Sequence, residues 1–283
     1  MKLKGKTAVV TGGAAGIGLE TCRRLVQAGC VVTIWDIDAR GLAAARKELS
    51  RNGGKVFAYP CDVTRPARVA ALARQAVKDM GQVDILVNNA GILVPGTFLD
   101  QPVAQWVRTV DINLNALLYT IAAFLPEMHR RNSGAIVNVS SGAGMVGVPG
   151  LAVYAATKWA VFGLTESLRH ESWNAGRRGV KWSSIHPLYV RDGLFAGARF
   201  SGMSRLLFPQ VKNHDVIARA IVEQALRRGR YTPIRPRMVR AALVFRGLLP
   251  AGATFRVTRF FGVHRTMERW TGRTGTARAR RKK

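Results

Sequence analysis

The chain has 283 residues, 48% of them apolar, and a mean hydropathy of +0.03, which suits one α/β catalytic domain with an appendage and excludes a chain too polar to bury a core. Its formal net charge is +28, and 17 of its 44 Lys/Arg fall in residues 227–283 against a single acid, Glu268, so the excess reads as a solvated tail or a face for an anionic partner. No run of eighteen apolar residues offers a membrane span, the N-terminus enters a strand too early for a signal region, and Cys22, Cys30 and Cys61 lack C-x-x-C or metal spacing; the expectation is a cytoplasmic protein without thiol or metal chemistry.

Apolar, β-rich runs at Ala8–Thr11, Val31–Trp35, Val56–Tyr59, Ile85–Asn88, Ile136–Ser140 and Val180–Ile185 predict strands. Between them, helical periodicity covers Gly16–Ala28, Ala39–Ser50, Pro66–Met80, Val103–Arg131 and Ala152–Asn174. Strands apolar on both faces, joined by right-handed helical crossovers, predict an α/β fold: a doubly wound parallel (Rossmann) sheet in three α/β/α layers. The first strand ends in Thr11-Gly12-Gly13-Ala14-Ala15-Gly16-Ile17-Gly18. Glycines there let the backbone turn tightly, approach a pyrophosphate and pack the helix on its strand, while the helix N-terminus offers N–H groups to phosphate. No Gly-Lys-Ser/Thr follows, so a P-loop is a poor reading. Asp36, after the second strand, is placed to accept hydrogen bonds from adenosine ribose hydroxyls and to repel a 2′-phosphate, which favours NAD over NADP; the alternative is a capping turn shared with Asp38.

Further along, residues 190–212 lose their period and read as a lid, a helix follows at about residues 213–228, and the composition then changes. The predicted organisation is a catalytic and cofactor-binding domain over 1–236, including that lid, a basic amphipathic extension over 237–270, and a disordered basic tail over 271–283. Within the extension, Val257, Phe260, Phe261, His264 and Met267 share one helical face and Arg256, Arg259 and Arg269 another, as in a helix lying on an anionic membrane surface or packed on protein.

Thr11-Gly12-x-x-x-Gly16-x-Gly18, Asp62, Asn88-Asn89-Ala90-Gly91, Asn113, Ser141 and Tyr154-x-x-x-Lys158, in that order, resemble the single-domain short-chain dehydrogenase/reductase family over about residues 5 to 190. The resemblance implies hydride transfer between a nicotinamide cofactor and an alcohol or ketone carbon. It gives Tyr154 the acid/base role, with Lys158 binding the nicotinamide ribose, Ser141 (rather than its neighbour Ser140) holding the substrate oxygen, and Asn113 holding a water on a proton path. Asn113 read by itself is a polar helix residue bonding backbone. Spacing of four on a helix brings Tyr154 and Lys158 to one face, where an ammonium favours the phenolate. Cofactor contacts are expected from Gly12, Gly16, Ile17, Gly18, Asp36, Asp62, Val63, Asn89, Ala90, Gly91, Tyr154, Lys158, Pro187 and Val190, and no metal.

Where the family carries Pro-Gly and then a threonine, this chain has Leu188 and Asp192; Pro187 and the Val190 backbone still serve. The basic-apolar ending resembles the steroid- and retinoid-active branch. Apolar walls at Leu93, Val94, Val146, Val148, Leu188 and Tyr189, with lid residues Leu194, Phe195, Phe200, Met203, Leu206, Leu207 and Phe208, favour an apolar substrate of steroid, retinoid, long-chain or terpenoid type. A 3-ketoacyl-thioester reductase is the alternative enzyme. A nucleic-acid-binding protein or scaffold on the same fold is the non-enzyme alternative; the first is disfavoured because the arginines come without aromatic platforms or a binding motif, the second because Asn113, Ser141, Tyr154 and Lys158 would stand idle. The resemblance also implies a homodimer or homotetramer pairing Val103–Arg131 and Ala152–Asn174.

Overall fold

A computed structural model describes residues 1–51, 53–190, 211–235 and 247–260. The expected lid, apart from its ends at Val190 and 211–212, and the tail beyond Phe260 lie outside the described residues. Seven parallel strands form one sheet in the order β3-β2-β1-β4-β5-β6-β7: β1 Thr7–Thr11, β2 Val31–Asp36, β3 Val56–Pro60, β4 Ile85–Asn88, β5 Gly134–Val139, β6 Val180–Pro187 and β7 Ile234–Arg235. Helices α1 Gly16–Gln27, α2 Ala39–Arg51, α3 Pro66–Met80, α4 Val103–Val110, α5 Ala116–Arg130, α6 Ala152–Asn174 and α7 His214–Arg219 cross over its faces, and α8 Ala251–Phe260 follows β7. This is the doubly wound three-layer fold expected. Two apolar clusters separate by face, one around Val10, Ile34, Val137 and Ile221, the other around Val9, Trp35, Leu86 and Ile136. Adjacent strand residues thus feed opposite layers, as the two-residue period requires.

Local signals set several boundaries. Pro66 opens α3 at a position where its missing N–H costs nothing. Asn213 caps α7, its side chain accepting from the Val216 N–H at 3.4 Å. Between α4 and α5 the chain runs as a π-helical turn, Asp111–Asn115, so Val103–Arg130 is one continuous helix of 28 residues. By length and apolar composition that helix could span a bilayer, which the sequence reading did not anticipate. Here it packs on α3 and the sheet, with Leu117, Ile121, Phe124 and Met128 in the core. The strand order reverses between β1 and β4, and ligands of such sheets bind at that switch point, outside the strands' carboxyl ends.

Candidate active site

A cleft of about 300 Å³ opens at the switch point, running from the glycine-rich turn and Asp36 at one end to Tyr154 and Lys158 at the other. Gly12 (φ +64°) and Gly16 (φ +56°) take left-handed conformations in its floor, and a Cβ on Gly12 would stand 2.9 Å from the Ala90 Cα. Gly18 does not line the cleft. A Cβ there would lie 2.1 Å from the Gly12 carbonyl oxygen, so Gly18 lets α1 close on the turn. The turn is tied to the end of β4: Asn89 Nδ2 donates to the Thr11 and Gly12 carbonyls (3.1 and 2.9 Å), and Thr11 Oγ1 accepts from the Asn89 and Ala90 N–H groups. Ile17, Asp62, Val63, Asn89, Ala90, Gly91, Pro187 and Val190, named above as cofactor contacts, all line the cleft.

Asp36 closes the turn with Asp38 that the sequence offered as the alternative, and it also lines the cleft. Its carboxylate accepts from the Asp38 N–H at 3.1 Å, closing a turn, and from the Ala14 N–H at 3.0 Å, bracing the glycine-rich loop, while it faces the cleft. Asp38 and Asp62 share this end. The Thr64 hydroxyl and N–H, donating to Asp62 at 2.7 and 3.0 Å, hold its carboxyl below the usual carboxylate range. The neighbouring turn at Ala15–Ile17 begins α1, whose first turn has no acid to oppose a phosphate. The end by Asp36 accepts hydroxyl donors and the turn accepts an anion, a donor and acceptor order that fits an adenosine dinucleotide.

At the other end, Ser141 follows β5, Tyr154 and Lys158 come from α6, and the Tyr154 and Ser141 side chains are hydrogen-bonded. Ser140 also lines the cleft, but its hydroxyl donates to the Lys158 carbonyl at 2.8 Å. Lys158 Nζ donates to the Val139 carbonyl at 2.9 Å and lies 5.7 Å from the centre of the Tyr154 ring. Burial pushes the Tyr154 phenol up to about 12, and the Ser141 bond only partly offsets it. Burial likewise pushes Lys158 down to about 8. Loss of hydration thus acts on both groups against their charged forms.

Asn113 sits on the π-helical turn, outside the main cleft. Its Oδ1 accepts from the Ile92 N–H at 2.8 Å and its Nδ2 donates to the Ile92 carbonyl at 3.0 Å and to Thr157 at 3.2 Å. The turn aims the side chain across to the loop after β4, so it bonds backbone, though not its own helix's. It also borders, with Lys158, a cavity of about 10 Å³, the room one water needs.

The sequence pattern of the short chain dehydrogenases matches residues 6–199. The chain belongs to that family. It is 32% identical to human epidermal retinol dehydrogenase 2 over 266 residues, 93% of this chain and 84% of the relative, and 29% identical to human retinol dehydrogenase 10 over 288 residues, 93% and 84%. A solved short chain dehydrogenase/reductase from Burkholderia phymatum, in complex with NAD, superposes with a TM-score of 0.76 at 26% identity, covering 86% of this chain and 93% of that one. The protein is thus an oxidoreductase acting on CH–OH groups with a nicotinamide cofactor.

This short-chain dehydrogenase departs from the expected contacts in small ways. Leu188, in place of the family's glycine, is buried against Gly142 without closing the cleft. Asp192 lies outside the described residues. Arg108, Ile112 and His214 line the cleft and were not foreseen. His214 reaches the turn by the packing of α7 on α1, a contact that no local sequence pattern announces.

Proposed function

We propose that this short-chain dehydrogenase uses NAD to interconvert a secondary alcohol and a ketone on an apolar substrate of steroid, retinoid, long-chain or terpenoid type. The observation that carries the reading is the buried Tyr154–Ser141 hydrogen bond, with Lys158 alongside, at one end of a cleft whose other end holds Asp36. A bound nicotinamide supplies the hydride acceptor and, when oxidised, a positive charge that draws the phenol toward its anion. Tyr154 takes the alcohol proton in oxidation and returns it in reduction. Ser141 fixes the substrate oxygen beside that hydroxyl, and Lys158, anchored on Val139, holds the cofactor ribose. Asn113 keeps the loop at Ile92 in register and borders the space where a water would relay protons.

The choice of an apolar substrate fits the apolar setting of Tyr154, which packs in a buried cluster with Leu93, Ala143, Val148, Leu151 and Ala155, Val146 lying against it. It is supported by the retinol dehydrogenases among the relatives. Asp36 and Asp38 support NAD, because two carboxylates repel a 2′-phosphate. Homodimer formation, a cytoplasmic location and peripheral attachment to anionic membrane belong to the same reading. The test is turnover on a panel of apolar secondary alcohols and retinol with matched NAD and NADP; activity confined to polar polyols would overturn it. Asp36→Ala with Ile37→Arg should move preference toward NADP, at some cost in loop order because Ala14 loses its acceptor; a wild type that already prefers NADPH would refute the role given to Asp36.

A further inference from the structure

The pyrophosphate of a dinucleotide carries two negative charges, and the charged side chains along the cleft are unevenly placed to meet them. Among the described residues lining it, Arg108, Lys158 and His214 can be cationic. Arg108 lies by Asp62, whose carboxyl its charge helps to hold low, and Lys158 belongs to the opposite end, beside Tyr154. His214 stands against the glycine-rich turn: its Nε2, Cδ2 and Cε1 lie 3.6–3.9 Å from where a Cβ on Gly16 would stand. The ring is half-buried and borders the cleft.

Its position is built. Arg24 of α1 binds Asp215, the next residue, with Nε donating to Oδ1 at 2.7 Å, and Arg219 reaches the same carboxylate at 3.4 Å. The Asn213 cap fixes the start of α7. α7 is thereby pinned to α1 with His214 at the mouth of the turn.

We propose that His214 is a binding residue for the cofactor's pyrophosphate, donating a ring N–H to a phosphate oxygen above Gly16. Neutral imidazole donates from one nitrogen and imidazolium from both, so the contact needs no particular charge state. A charge-assisted bond of this kind shortens and strengthens on an anionic acceptor. The proposal rests on the dinucleotide reading of the cleft, and its test separates the two.

Dissociation constants for NADH, ADP-ribose and adenosine are measured on the full chain, wild type and His214→Ala, by NADH fluorescence titration and competition. A hydrogen bond to a charged group corresponds to roughly a tenfold or greater change in binding. The expected result is that His214→Ala weakens NADH and ADP-ribose by at least ~10-fold, leaves adenosine unchanged, and that His214→Lys restores much of the loss. Equal weakening of adenosine would show that the ring only props the loop and would overturn the proposal. So would unchanged binding of all three ligands. A wild type that binds neither NADH nor ADP-ribose would sink the dinucleotide reading itself, and this proposal with it.

Discussion

Burial raises the Tyr154 pKa and lowers that of Lys158, so each is driven toward its neutral form. Tyr154→Phe keeps the ring's packing and removes the hydroxyl. Turnover should fall at least ~100-fold, the lower range for a lost general acid/base, with NADH affinity nearly intact; steady-state rates beside fluorescence titration check both halves, and near-normal turnover would end the mechanism. Behind Ser141 lies a third titratable group. His186 is fully buried on β6, with Nδ1 3.2 Å from the Ser141 carbonyl, its ring edge-on to Phe162, and no hydrogen-bond partner for Nε2 among the described residues. Burial pushes it down to about 4. A group whose folded pKa is depressed adds stability above its unfolded value and loses it as pH falls toward the folded one. From about pH 6.5 down to about 4, protonation of the unfolded chain should therefore cost on the order of 3 kcal/mol at most. In His186→Phe that component should vanish, so the stability difference from wild type, read from urea midpoints, should shrink as pH falls; a difference independent of pH would show that His186 does not titrate in this window.

Among the elements, the 28-residue helix and α6 do the most positioning. The π-helical turn rotates Asn113 toward Ile92, and α6 brings Tyr154 and Lys158 together one turn apart. Their outward sides carry apolar residues: Val103, Val107 and Leu118 on one and Trp159 on the other, the last 41% exposed. Phe162, three residues after Trp159, packs its ring against His186. An apolar stripe on two adjacent helices is what an isologous dimer buries. Sedimentation should show a dimer for wild type and a monomer for Trp159→Glu, because a carboxylate at the centre of such a contact would be desolvated without a partner. A wild type that stays monomeric on concentration refutes the pairing.

For the whole molecule the unusual property is its charge. α8 presents Phe255, Val257 and Phe260, with Leu248 and Leu249 just before it, as exposed apolar residues beside Arg256 and Arg259. Each arginine near an anionic surface contributes roughly 1 kcal/mol, to which apolar insertion adds. The full chain should bind vesicles containing anionic lipid, less so as salt rises, and deletion of 237–283 should abolish that binding in a flotation assay while turnover on a soluble alcohol survives. Failure to bind at low salt would refute membrane attachment, and lost turnover would show that the extension covers the pocket.

What the sequence determined by itself is whatever depends on short spacing. Period-two and period-3.6 patterns placed six strands and the crossover helices to within two residues, since alternation and helical faces are local. The glycine-rich turn, Asp36 and the Tyr154/Lys158 pair were legible because each is a fixed interval on one element. The seventh strand was not: Ile234–Arg235 is two residues long and becomes a strand only by pairing with β6. Tertiary structure alone decided that Asp36 braces Ala14 as well as facing the cleft, and that Gly18 packs against Gly12 outside it. It also decided that Asn113 bonds a loop twenty-one residues away, and that burial outweighs the Ser141 hydrogen bond in raising the Tyr154 pKa. Each depends on groups far apart in the chain, and desolvation in particular is a property of everything packed around a residue, which no interval in the sequence encodes.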